Sequence, residues 1–355
     1  MSQYLVLSHI EVQNTNSIAG LTWGFPAITH FLGFTHALNR KISNKYHGEY
    51  DTELVGCAVI SNSIQNKIYQ AKAYADYEFL QSKNPPVLAK HKVGSPPIIE
   101  EGKMNLTVSL VIELSKQLSL TTVDLRTFES KINELCSTMR LAGGMILNIK
   151  NTKLLSGSTE EQQNNMLRRI KRMTMPGFVL LDKSEYLEEH YQTLQAEYKE
   201  RDYQSKPQLL DAWLDFSALK YKAHPQLTKD QKEPDDNTPA EWKYVPKPKT
   251  GYLVPLMTGY KAISETYDLN DVENIRAKST DDAEKVCYVE AIHSVGEWKG
   301  VHSIKNITDV IWHYQHDDQW YLCQQNSKKP LDEKSTDTLE TKKQTFNLTE
   351  ALNQF

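Results

Sequence analysis

The chain has 355 residues, with 41 Lys+Arg against 45 Asp+Glu and a formal net charge of -4. That length supports one large domain or two ordinary ones with a sizeable core, and the mild acidity lacks the basic excess usual in nucleic-acid binders, so the distribution of charge matters more than its total. The four cysteines, Cys57, Cys136, Cys287 and Cys323, form no C-x-x-C pair, which argues against a zinc module or a disulfide framework and points to free thiols in a reducing cytoplasm.

In chain order, residues 4–12 ("YLVLSHIEV") alternate as a strand. No basic segment precedes a long apolar run, so no signal peptide is read there, and no apolar run approaches the roughly 20 residues of a membrane span. Residues 14–25 then form an unusually elaborate approach to a helix that opens at Pro26, where a missing N–H costs nothing. Ile28, Phe31, Leu32, Thr35, Leu38 and Ile42 recur along it at helical spacing, with Arg40 and Lys41 in its last turn. Residues 53–61 and 104–114 read as strands, separated by an insert (65–103) rich in Tyr and Lys. Residues 121–139 predict a helix capped by Thr121 or Thr122, with Leu125, Phe128, Ile132, Leu135, Cys136 and Met139 as its apolar stripe. Residues 140–149 read as a strand opened by a glycine pair.

The resulting β-α-β-β-α-β order is that of ferredoxin-like and RRM-type domains. The expected fold is therefore α+β: a ferredoxin-like/RRM-type core over 1–150, a helical, basic extension over 151–223, a polar, Pro-rich and mobile linker over 224–249, a smaller β-rich part over 250–323 and a polar tail over 324–355. Within the β-rich part, residues 306–314 ("NITDVIWHY") read as a short helix and 320–323 as a strand.

The sharpest chemical signal is "MLRRIKRM". With Arg168 at zero on a helical wheel, Arg172 falls at about 40°, Arg169 at about 100° and Lys171 at about 300°. Met166, Ile170 and Met173 occupy the other side. The helix thus buries one face and presents four cations, either as a solvated face or as a phosphate-binding one. From 140 to 181 there are seven Lys/Arg and two Asp/Glu, a local excess in an acidic chain. Arg140 precedes Gly143 and Gly144, a pair that permits close backbone approach and offers N–H groups to phosphate, or forms a bulge. In the insert, Lys67, Lys72, Lys83, Lys90, Lys92 and Lys103 interleave with Tyr69, Tyr74, Tyr77 and Phe79. Cations that follow a backbone and rings that stack on bases suit single-stranded RNA, and a solvated hairpin with cross-strand tyrosines accounts for the same pattern.

Enzyme motifs are scarce: there is no Walker A loop, no G-x-S-x-G and no H-E-x-x-H. His313, His316 and the following Asp317 and Asp318 lack a partner cluster, so surface histidines are expected there instead of a metal centre. His30 and His36 could imitate an acid–base pair for RNA cleavage, but His36 lies beside core positions of its helix and reads better as a packed or hydrogen-bonded residue. No catalytic residue, metal or cofactor is assigned.

Six segments, "NTNSIAGLTWGFPAITHFLGFTHAL", "IIEEGKMNLTVSLVIEL", "MRLAGGMIL", "RRIKRMTMPGFVLL", "GYLVPLMTGYKAIS" and "HSVGEWKGVHSIKNITDVIWHY", occur in colinear order from about residue 3 to about residue 316. Together they closely resemble the Csy-two family, Cas-five-type (RAMP) subunits of type I-F CRISPR surveillance complexes. The resemblance implies an RRM-like body with a thumb-like hairpin at 65–103. It also implies a non-catalytic, prokaryotic cytoplasmic subunit with no membrane contact, which binds the 5′ handle of the CRISPR guide RNA and docks on the large subunit. That subunit would cap the filament of Cas-seven-type backbone subunits, target DNA being held by the assembled complex.

On the chemistry of the matched segments, Arg140, Gly143, Gly144, Arg168, Arg169, Lys171, Arg172 and the thumb lysines Lys83, Lys90 and Lys92 would clamp the handle. Asn14 and Asn16 carry amides suited to base edges, and Trp23 a face for stacking, whereas for Phe25 filling core is the better reading. Trp298, Lys299 and Trp312 are candidate partner contacts, with core packing the alternative for the tryptophans. Two other readings compete: a Cas-five-type endoribonuclease that processes precursor RNA, and a protein scaffold whose basic helix meets an acidic partner.

Overall fold

The computed structural model describes residues 2–46, 48–80, 82–83, 87–89, 92–94, 98–99, 101–201, 205–227, 233–236, 238–272 and 285–325. By chain contacts it divides into two units, 1–182 with 252–326 and 183–251 with 327–355.

The first unit opens with β1 (Ser2–Asn16), α1 (Ile28–Tyr46), β2 (Leu54–Asn66), β3 (Lys103–Leu114), α2 (Thr122–Ser137), a short β4 (Arg140–Leu141) and β5 (Gly144–Gly157). Leu5, Leu7, Ile10 and Val12 of β1 and the even-numbered residues Met104 to Leu114 of β3 turn one face toward α1 and α2. α1 answers with Ile28, Phe31, Leu32, Phe34, Leu38 and Ile42, and α2 with Phe128, Ile132, Leu135 and Cys136. The Thr121 hydroxyl accepts the Asp124 N–H and starts α2. Glu129 of α2 is 7 % exposed, and its carboxylate accepts the Leu154 N–H at 3.1 Å and pairs with Lys153. These contacts fasten the helix to β5.

The opposite face carries a second core of Tyr4, Val6, Ala58, Ile60, Val111 and Leu155. It is covered by α3 (Glu160–Thr174) and by the helical turns Val301–Ser303 and Thr308–Val310. Thr159 and Gln162 form a reciprocal capping box at the start of α3.

β6 (Phe178–Asp182), β9 (Leu253–Ala262), β10 (Val289–Gly300), β11 (Trp312–Asp317) and β12 (Trp320–Gln325) continue the same sheet. Its ten strands run β4-β5-β1-β3-β2-β6-β10-β9-β12-β11, with every pair antiparallel and a further contact of β11 with β2 at Trp312 and Cys57. Residues 250–323, expected as a smaller β-rich part, thus contribute four strands to the main sheet. The helix expected over 306–314 is a single turn followed by β11. Trp312 is fully buried and donates its indole N–H to the Leu180 carbonyl at 3.0 Å, so the chain extends into the sheet instead of coiling.

The second unit holds α4 (Ser184–Glu200), α5 (Leu209–Ser217) and a ribbon of β7 (Lys220–Pro225) with β8 (Ala240–Val245). His190 Nε2 lies 2.7 Å from Asp215, which also pairs with Lys220. β8 and the last two residues of β7 fall within 224–249, the stretch expected as a linker. Tyr221 faces Tyr244 and Ala223 faces Trp242, an alternation of rings and polar residues that pairs strands despite the polar composition.

Candidate nucleic-acid interface

β1 carries two irregularities, at His9 and Asn14, both with φ near the left-handed region (50° and 57°). Beyond the first, the sheet face shared with α3 changes from apolar to polar. Glu11 stands opposite Thr107 and Asn148, and Asn105 opposite Gln65. Glu11, Gln13, Ser63, Gln65 and Asn148 are exposed. The covering helix stops short of them because Asn62 donates to the carbonyls of Thr174 at 2.7 Å and Pro176 at 2.8 Å. The Asn62 carbonyl oxygen accepts from Ser109, whose own hydroxyl accepts the His9 N–H. One chain of hydrogen bonds thus ties the bulge in β1, the middle of the sheet and the end of α3.

α3, which ends at Asn62 beside this strip, carries the four cations in its second half, while Met166, Ile170 and Thr174 are buried. Arg168, Arg169 and Arg172 are exposed. Lys171 is half-buried and donates to the His302 carbonyl at 3.0 Å, so its ammonium is engaged within the fold. Arg168 reaches Asn165 at 3.5 Å, and among the described residues no acidic side chain pairs with Arg169 or Arg172.

At the far end of the strip, Asn14 is exposed, accepts from Lys67 through its side chain and donates its N–H to Asn105. The Asn16 amide is closed on the backbone of Ile18, donating at 3.0 Å and accepting at 3.2 Å. Asn16 therefore shapes the loop, with one amide N–H and its carbonyl oxygen engaged there. A hairpin of Ile18–Ala19 with Thr22–Trp23 follows. Trp23 is 43 % exposed and lies 4.8 Å from Phe79 of the insert, with Gly102 packed against its ring. Phe25 stacks on Phe31 at 5.6 Å and meets Trp298 edge-on at 4.9 Å. Both join the main core, although Trp298 keeps a half-exposed edge, and Lys299 is exposed. Trp312, expected as a partner contact or as core, is core.

In the insert, Ile68–Gln70 pairs with Tyr77–Phe79, and Tyr69, Tyr74 and Tyr77 are exposed. Lys90 lies outside the described residues, and of Lys83 and Lys92 only the strand backbone is described.

The glycine pair is divided: Gly144 opens β5, whereas Gly143 belongs to the turn before it. Ala142 and Gly143 both have positive φ (48° and 77°) and make a two-residue turn between β4 and β5. A Cβ on Gly144 would lie 2.6 Å from the Gln13 carbonyl oxygen, so this glycine serves an approach of the chain to its own β1. Arg140 is exposed beside the turn.

His30 is mostly enclosed, burial holds its imidazole below the usual histidine range, and its Nδ1 has no hydrogen-bond partner among the described residues; His36, expected as packed or hydrogen-bonded, is exposed. No group of three or more metal-ligating side chains occurs among the described residues, and no described helix is long and apolar enough to cross a membrane. The amide strip and His293, which reaches the 18–23 hairpin, are not among the sequence-derived candidates. The strip was readable as polar residues at every second position of 61–65 ("SNSIQ") and 105–109 ("NLTVS") once strand faces were tracked.

The molecule is thus an α+β protein built on one large antiparallel sheet, with an uncovered polar half-face flanked by a basic helix. A family model for CRISPR-associated protein (Cas_Csy2) matches residues 5–323. CRISPR-associated protein Csy2 of Pseudomonas aeruginosa (strain UCBPP-PA14) is 30% identical over 319 residues, covering 87% of this chain and 90% of that protein. The chain belongs to the Csy2 family, and so to the Csy complex of the type I-F CRISPR–Cas system.

Proposed function

We propose that this chain is the non-catalytic subunit that binds the 5′ handle of the guide RNA. With the large subunit it caps the filament of Cas-seven-type backbone subunits, and the assembled complex holds target DNA in the prokaryotic cytoplasm. We read β1, α1, β2, β3, α2 and β5 as a ferredoxin-like (RAMP) core, on the lateral order β5-β1-β3-β2, and the hairpins between β2 and β3 as its thumb. The observation that carries the reading is the polar strip. Amides and hydroxyls on an open sheet face offer donors and acceptors to base edges, Trp23 and the insert tyrosines offer rings, and Arg169 and Arg172 offer cations to phosphates. Lys171 and Asn16 support that surface from within the fold.

Purifying the tagged protein from its own cells and sequencing the RNA that accompanies it tests this. Short RNAs with one constant 5′ end are expected; recovery of unrelated transcripts alone overturns the reading. In reconstituted complex, Arg169→Ala with Arg172→Ala should reduce the steepness of log K against log salt by about 1.4, two phosphate contacts to a single strand. Reversing Arg168 and Arg172 to Glu should release RNA and leave partner docking intact. Loss of docking with RNA retained would favour the scaffold reading.

A further inference from the structure

The loop that carries Trp23 is held at two places. At one, the Ser17 N–H donates to Gly102 at 2.9 Å, and the Ser17 hydroxyl donates to Asn66 at 2.8 Å. The other lies far away in sequence. Ala19 and Ala27 pack with Met257 of β9, beside Tyr260 and Ala291. The Leu21 N–H donates to Nε2 of His293 on β10 at 3.1 Å. Gly20, at φ 59°, lies flat against that ring: an added Cβ would stand 2.5 Å from Nε2 and 3.2 Å from the Ala291 Cβ. The loop therefore closes on this imidazole, and only a glycine permits the contact.

An N–H donor fixes the ring's state. Nε2 accepts only when it carries no proton, which places the single proton of the neutral ring on Nδ1. We infer that His293 is a positioning residue for RNA recognition: in its neutral form it latches the Leu21 N–H and holds Trp23 against the insert, and a second proton on the ring releases the latch. The inference rests on the reading that this loop meets RNA. On protonation Nε2 becomes a donor facing a donor, and the Ala19 carbonyl, which lies within hydrogen-bonding reach of the ring, becomes its natural acceptor. The anchored end at Ser17 would remain, while the Leu21 end would shift.

The surroundings favour the neutral ring. Burial keeps the imidazole below the usual histidine range, against the Ala19 and Ala291 carbonyls and Glu290 on its own strand, which pull the other way. The loop segment packed against it, 17–25, contains no titratable side chain. On β9, Met257 stands opposite His293, with Tyr260 opposite Ala291 and Lys261 opposite Glu290. The latch is therefore closed above the histidine range and opens as pH falls below it.

The test uses the full-length protein and two variants. His293→Gln keeps a neutral acceptor and cannot titrate, whereas His293→Leu removes the acceptor. Amide hydrogen exchange at Leu21, corrected for intrinsic rates, is followed at pH 7.5 and 5.5 together with affinity for handle-bearing RNA. In the wild type, protection and affinity should both fall about tenfold between the two pH values, the worth of one hydrogen bond. His293→Gln should hold both nearly constant, and His293→Leu should lack protection at both. Leu21 protection in His293→Leu equal to wild type, or a pH loss in His293→Gln equal to wild type, overturns the latch. Exchange that follows the histidine while affinity does not overturns its role in recognition. Absence of RNA binding by the wild type at pH 7.5 instead removes the functional reading, and the exchange data then decide the latch by themselves.

Discussion

Gly143 and Gly144 show how two identical residues serve different ends. Gly143 sits at positive φ with nothing near its absent Cβ, whereas Gly144 is pressed against the backbone of Gln13 and Thr15. Gly143→Ala should cost about 1 kcal/mol from the left-handed conformation alone. Gly144→Ala should cost about 2 kcal/mol or more, because backbone must move apart. Urea denaturation of both variants checks the order. Were the pair a phosphate nest, both alanines would keep their N–H groups and the two variants would bind RNA alike. A second expectation at this scale concerns acid. Burial lowers the pKa of His30 below its unfolded value, as it does for His9. Stability is then complete above the ordinary histidine range and is lost as pH falls below it, since the unfolded chain takes up the proton more readily. Unfolding free energy measured from pH 8 to 5 should decline toward acid, and more shallowly in His30→Phe.

At the scale of elements, amphipathic helices were legible and their positions were not. The apolar stripes of α1, α2 and α3 recur every three or four residues and name their buried faces directly. Where α3 lies on the sheet depends on Asn62, a residue in β2 far from it in sequence. A lone asparagine in a strand carries no sign of such a tie. Asn62→Ala removes two donated hydrogen bonds and the acceptor of Ser109, while leaving every apolar contact of α3 in place. The expected cost is about 2 kcal/mol, for carbonyls left without donors in a partly buried place. Its particular mark should be faster hydrogen exchange in the last turn of α3, with α2 unchanged. Equal loss of protection in both helices would mean that Asn62 supports the sheet as a whole and does not set the end of α3. The amide strip was missed for a related reason: its members come from four strands, and only the register assembles them.

For the whole molecule, the order β-α-β-β-α-β could be read from the sequence, but the boundary near residue 150 could not. Leu180, Leu256, Trp312 and Cys323 belong to the same core cluster as Leu7 and Phe128. Composition gives no sign of a pairing such as Trp312 with Cys57, because it joins distant segments that each look complete alone. A fragment of residues 1–150 should consequently lack part of its core and show no cooperative urea transition. The second unit presents the opposite case. β6 and β9 flank β10 on either side, with Asp182 opposite Gly296 and Leu253 opposite Glu297. The chain thus leaves the first unit at 182 and returns at 252 about 10 Å away, two strand spacings. A Gly/Ser linker of about six residues spans that distance comfortably. Replacing residues 183–251 with such a linker should preserve a single cooperative transition and the near-ultraviolet signal of the buried Trp312. If the shortened chain fails to fold while the 1–150 fragment succeeds, the core is confined to the first four long strands after all, and the C-terminal strands are an addition to a body already complete.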